Sequence, residues 1–126
     1  MIYTTLTKEA LKIAYEAHKE QLDKSGLPYI FHPFYLASKM KGEYSICVAL
    51  LHGVVEDSNY TINDLIGAGF LLEVIEAIRM LIYSKDSLYF DYIKEIKNNM
   101  LAAIVKIEDL KHNSDLTRLN QITIRG

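Results

Sequence analysis

Of the four histidines in this 126-residue chain, two, His32 and His52, sit where packing alone does not explain them. His52 interrupts the most apolar stretch, Ile46 to Leu51. Glu56 follows four residues later, on the same helical face, and Asp57 comes next. An imidazole and two carboxylates at the end of a buried helix are costly unless they are paired, hydrated or bound to a cation. The plainer alternative is a core histidine hydrogen-bonded to a carboxylate, and for His52 alone the two readings weigh equally. His32, between Phe31 and Pro33, reads on its own as an exposed or N-capping histidine. Asp109 follows the mostly apolar run Ala102 to Ile107, with His112 and Asn113 three and four positions on; alone it reads as part of a solvated helix face. Taken together, His32, His52 and Asp109 form a two-histidine, one-carboxylate set drawn from three helices. That donor set suits a divalent metal such as Mn, Fe or Zn, though ligands so dispersed in sequence are a weak signal by spacing alone.

The remaining candidates have structural readings. His18 shares a side with Leu11 and Ala14 and reads as a packed, partnered core histidine. Tyr15, Tyr44 and Tyr89 read as core or boundary aromatics. Cys47 lies inside the apolar run and reads as inert. The sequence holds no glycine-rich phosphate loop, no Gly-x-Ser-x-Gly and no Cys-x-x-Cys.

The elements that must position these groups are helical. Thr7 is the expected N-cap of a first helix running to about Leu22, with apolar residues at Ala10, Leu11, Ala14 and Ala17. Asp23 to Tyr29 is a loop, with Gly26 at a tight turn. Pro33 suits the first position of a helix running to about Lys41, which Gly42 should end. A buried helix spans about Tyr44 to Asp57. Thr61 to Asp64 resembles a capping arrangement for a short helix that Gly67 and Gly69 break. Leu71, Ile75, Ile78 and Ile82 mark the inner face of the next helix. Ser87 is the expected cap of a helix to about Lys97, and the last clear helix runs from about Met100 to Leu116. Asn120 to Gly126 reads as coil or a short edge strand. The expected class is all-α, with six or seven short helices in one domain.

Composition narrows the functional classes. Half the residues are hydrophobic and 24% are charged, with a formal net charge of −2. No basic face is available for nucleic acid or an anionic membrane. The longest apolar run is far short of the ~20 residues of a membrane span, and no secretory signal is visible. A single cysteine permits no intrachain disulfide and suits the cytosol.

Three stretches resemble one family. Ala17 to Gln21 followed by Lys24-Ser-Gly-Leu-Pro-Tyr-Ile-Phe-His32-Pro33 looks like the opening of a RelA/SpoT-type (p)ppGpp hydrolase domain. Ala49-Leu-Leu-His52-Gly53-Val-Val-Glu56-Asp57 resembles the central helix of that family. Val105-Lys-Ile-Glu-Asp109-Leu-Lys-His-Asn113 resembles its late metal-ligand motif. The resemblance runs from about Thr7 to Leu119 and implies the helical bundle of HD-domain phosphohydrolases. It also implies a bound Mn ion and removal of the 3′-pyrophosphate of guanosine tetra- or pentaphosphate or a related nucleotide. By resemblance, His32, His52 and Asp109 are metal ligands, Glu56 and Asp57 handle the attacking water, and Lys24, Ser25 and Asn113 lie near the nucleotide. Two departures stand out. The aspartate of the His-Asp pair is Gly53 here, which removes a ligand and implies weakened metal binding and impaired turnover. Asp23 stands where many members place an arginine against the guanine. Typical members also continue into a further helix, so one wall of the bundle is expected to be thin or supplied by a partner, a second copy included. The competing expectation is a catalytically inactive nucleotide-binding or helical interaction module.

Overall fold

The computed structural model describes residues 1–83, 88–115 and 117. Seven helices run through them, in keeping with the all-α class: α1 Thr5–His18, α2 Phe31–Ser38, α3 Glu43–Asp57, α4 Ile62–Gly67, α5 Leu72–Leu81, α6 Tyr89–Ile96 and α7 Met100–Asn113. Among the described residues, β-type pairing is limited to an isolated bridge between Leu22 and Pro28. No helix there is long and apolar enough to cross a membrane.

The bundle is organised around α3. Ile46 to Leu51 and Val54 have no exposed surface, because α1, α2, α5 and α7 pack around them. A helix surrounded on most sides must be apolar nearly all round, which explains the unbroken run before His52. Each leucine or isoleucine so buried contributes about 1.5–3 kcal/mol, which fixes α3 as the reference against which the other helices align. The thiol of Cys47 lies in this packing, and burial pushes it up to about 12, so it is inert at neutral pH.

Helix ends differ from the sequence reading in ways that local hydrogen bonds explain. Thr4, not Thr7, caps α1. The Thr4 hydroxyl accepts from the Thr7 amide at 3.1 Å, and the Thr4 amide donates back to the Thr7 hydroxyl at 2.8 Å. Thr7 is therefore the buried partner inside a capping box. The helix stops at His18 rather than near Leu22, because the chain turns there to begin the following loop. Gly42 does not end α2, which finishes at Ser38; it is the extended N-cap of α3. Pro33 is the third residue of α2 and is buried. The Thr61–Asp64 capping box of α4 is present as expected. Gly69 follows α4 with φ of 98°, a conformation that favours glycine.

In α5 the buried face is Val74, Ile75, Ala77, Ile78 and Leu81. Leu71 and Ile82 fall on the caps, outside the helix, so they do not extend that face as their spacing predicts. Tyr15 and Tyr89 are exposed rather than core residues, and Tyr44 is half-buried against the core. Ser87, Leu116 and Asn120 to Gly126 lie outside the described residues, so the readings made for them have no structural counterpart. The helix expected after Ser87 is present as α6, with Leu88 as its N-cap.

Candidate functional site

The loop between α1 and α2 forms one lip of a cleft. Asp23 closes that loop on itself: its Oδ1 accepts from the amides of Ser25 at 2.8 Å and Leu27 at 3.0 Å, while its own amide donates to the Leu27 carbonyl at 2.8 Å. Gly26 takes a φ of 82° at the tip. Lys24 and Ser25 are thereby held over the cleft. Here lies the physical reading of the Asp23 departure: its carboxylate organises the loop backbone.

The inner wall is built from α2, α3 and α7. His32 is buried, so the exposed reading it has in isolation does not hold. Its Nε2 lies 2.8 Å from Asp109 Oδ1, and its Nδ1 lies 2.7 Å from Nδ1 of His112. His52 is buried one turn before the end of α3. Its Nδ1 donates to the Ala49 carbonyl at 3.0 Å, which leaves Nε2 as a bare lone pair. That lone pair faces Asp109 Oδ1 at 4.0 Å. Two acceptors facing one another are mutually unfavourable, and at 4.0 Å they are too far apart to share a hydrogen bond. Burial pushes the His52 pKa down, so the ring is neutral. Burial, the largest single effect, would raise the Asp109 carboxyl, but the His32 hydrogen bond together with the histidine and lysine neighbours outweighs it and holds the group at about 2. Lys106 adds to this, with its Nζ 3.4 Å from Asp109 Oδ2 and 5.4 Å over the Tyr92 ring.

Gly53 faces the cleft beside His52. A Cβ there would stand 3.5 Å from the Tyr29 hydroxyl, 3.6 Å from Asp57 Oδ2 and 3.9 Å from His18 Nε2, all ordinary contact distances. A side chain could therefore be accommodated, yet the residue offers no donor. His18 is fully buried and partnered on one side only. Its Nδ1 pairs with Gln21 Oε1 at 2.8 Å, while Nε2 has no hydrogen-bond partner among the described residues. Gln21 in turn donates to the Asp57 carbonyl at 2.8 Å, tying the end of α1 to the end of α3.

Glu56 and Asp57 stand at the rim. Glu56 Oε2 accepts from the Tyr83 amide at 3.4 Å. Desolvation raises the Glu56 carboxyl, against the lowering effect of that bond, and Asp57 raises it further. Asn113 Nδ2 lies 3.4 Å from Asp109 Oδ1. The cleft has a volume of about 730 Å3, and all eight residues singled out from the sequence line it: Lys24, Ser25, His32, His52, Glu56, Asp57, Asp109 and Asn113. Sequence reasoning gave no role to Tyr29, Tyr83, Tyr92 and Lys106, which also line it. Lys106 alone had a local signal, its i, i+3 spacing to Asp109.

Two imidazoles and a carboxylate fit a divalent cation by their chemistry. They are not laid out as a ready-made cage: among the described residues, no group of three or more His, Cys, Asp or Glu side chains is arranged to hold a metal ion. The Nε2 of His32 is engaged by Asp109 instead.

A bundle of short helices that gathers two histidines and an aspartate from three of them onto one cleft is an HD-type domain. Its fold superposes on the solved structure of a metazoan ortholog of SpoT that hydrolyses ppGpp, with a TM-score of 0.76 and 23% identity over 93% of this chain and 73% of that one. The bifunctional (p)ppGpp synthase/hydrolase SpoT of Escherichia coli is 32% identical over 84% of the chain. The GTP pyrophosphokinase rsh of Brucella melitensis is 30% identical over 86%. No protein-family model matches. The chain belongs to the RelA/SpoT family, as its hydrolase-type HD domain. It spans 17% of the length of the E. coli relative and 16% of the Brucella one.

Proposed function

We propose that this domain binds a guanosine polyphosphate or a closely related nucleotide and hydrolyses its 3′-pyrophosphate, at a rate lowered by Gly53. The observation that carries this reading is the convergence of the loop, α2, α3 and α7 on one cleft, which gathers every residue of the three family-like motifs that chemistry would require. Kinship with SpoT supplies the substrate class.

In this reading Lys24 and Ser25 meet the phosphates with a cation and a hydroxyl, while Asn113 contributes an amide from the end of α7. Glu56, whose carboxyl is raised, is placed to take a proton from the attacking water, and Asp57 supports that water beside it. His32, His52 and Asp109 are the donors for a divalent ion, Mn by family resemblance. Such an ion supplies Lewis-acid polarisation of the phosphate and a more acidic water. Gly53 provides no fourth donor, so affinity for the ion is reduced. The reading places the protein in the cytosol, where its nucleotide substrate would be made.

The test is a melting curve with and without Mn, together with release of pyrophosphate from guanosine tetraphosphate, for the parent chain and for Gly53→Asp. A bound ion stabilises the fold by mass action. The expected result is slow release by the parent and at least a tenfold gain in Mn affinity for the variant. No Mn-dependent shift and no pyrophosphate from either protein would overturn the reading. A nucleotide-dependent shift without turnover would reduce it to nucleotide binding.

A further inference from the structure

His32 is held from both ends, and the second partner has no assigned role. The rings of His32 and His112 have centroids 4.9 Å apart and planes 4° from parallel, with 2.7 Å between their Nδ1 atoms. A ring nitrogen lies roughly 1.1 Å from its centroid, so an N–H···N bond within one plane needs a centroid separation of roughly 4.9 Å. The two imidazoles therefore lie edge to edge and hydrogen-bonded, not face to face. The flat face of His112 is covered by Tyr35, at a centroid distance of 4.1 Å and an angle of 17°. His32 and Tyr35 are three residues apart on α2, and Asp109 and His112 are three apart on α7. Each helix thus presents two residues on one face, and the pairs interlock.

Proton accounting shows why an imidazole stands at position 112. Asp109 is a carboxylate and only accepts; with both rings neutral, the His32 proton therefore sits on Nε2 and Nδ1 accepts from the Nδ1–H of His112. For His32 to offer its Nε2 lone pair to a cation, that proton must leave for solvent. The Nδ1–H bond of His112 then breaks as the Nδ1–H bond of His32 forms, and His112 takes a proton from water on its own Nε2. Both rings remain neutral. A carbonyl or carboxylate at 112 could only accept; an imidazole serves both states.

We propose that His112, braced by Tyr35, is a positioning residue that sets the ring plane of His32 and lets it change tautomer as Nε2 is engaged. This rests on the reading of His32 as a cation donor given above. The experiment uses the full chain with 15N-labelled histidine, followed by NMR with and without zinc, a diamagnetic probe. Without zinc, the parent should show a through-hydrogen-bond N–N coupling between His32 and His112. With zinc, the His32 proton should move from Nε2 to Nδ1. His112→Phe keeps a flat ring for Tyr35 but has no nitrogen. It should lose the coupling, melt somewhat lower without zinc because the buried His32 Nδ1 loses its donor, and bind zinc about tenfold more weakly, or worse. His112→Gln, which can donate or accept, should recover most of that affinity. Equal zinc affinity in the parent and His112→Phe, or no coupling in the parent, overturns the proposal and leaves the donor reading intact. If zinc shifts no histidine resonance in the parent or in Gly53→Asp, the donor reading fails and the proposal falls with it.

Discussion

The inner wall and the rim of the cleft follow different physical rules. On the inner wall, the His32, His52 and Asp109 side chains are 4%, 11% and 13% exposed, and each is aimed by a bond to another helix or to its own backbone. On the rim, Lys24, Glu56, Asp57 and Asn113 are exposed, and the loop backbone and helix ends carry the positioning. Buried polar groups must be satisfied, so the inner wall is tied to the stability of the fold. The rim can vary at little structural cost, which under the proposed function makes it the place to tune specificity.

The sharpest way to break this contrast is Asp109→Ala. It leaves His32 and Lys106 without their shared carboxylate in a mostly buried setting, and urea unfolding should show a loss of about 2–3 kcal/mol. A loss below about 0.5 kcal/mol would show that the wall does not support the fold. Gly53→Ala should act in the opposite direction. Its methyl group meets no atom closer than 3.5 Å, and replacing a mid-helix glycine should stabilise by up to about 1 kcal/mol in the same assay, without restoring a cation donor.

A smaller effect should appear with pH. Burial lowers the pKa of both His18 and His52 from 6.5. In the window from 6.5 down to their folded values, the unfolded chain binds more protons than the folded one. Stability is therefore full above that window and declines as pH falls through it. Thermal melts between pH 7 and pH 5 should show this decline, with a shallower slope for His18→Asn. The smallest structural effect is expected on the rim. Lys24→Ala should change unfolding free energy by less than about 0.5 kcal/mol, yet weaken binding of a guanosine polyphosphate about tenfold in calorimetry. Equal binding by the variant would place the phosphates elsewhere.

The same contrast explains what could be read from the sequence. His52 was legible because it interrupts an apolar helical run, where a polar residue demands a reason, whereas Asp109 alone read as a solvated helix face. His32 was not legible from its neighbours, since Phe31 and Pro33 give no sign that residues 77 and 80 positions away will cover it; it drew notice only as part of a dispersed donor set and through the family motif. His112 and Tyr35 escaped for the same reason, as their pairing exists only once α2 and α7 meet. The order of the helices was legible, with six or seven expected and seven found among the described residues, but their ends were not. Thr4 beat Thr7 as the cap of α1 through a reciprocal hydrogen bond that composition does not reveal, and Gly42 opens α3 where a glycine between two helical patterns reads equally well as a stop.

The Asp23 carboxylate sets a limit on redesign of this domain. Because its Oδ1 fastens the amides of Ser25 and Leu27, replacing Asp23 with arginine would unfasten the segment that carries Lys24. Under the proposed function, any gain in nucleobase recognition would then arrive together with a poorer grip on phosphate. An engineer would have to supply a substitute clasp at a neighbouring residue before the two properties could be improved separately.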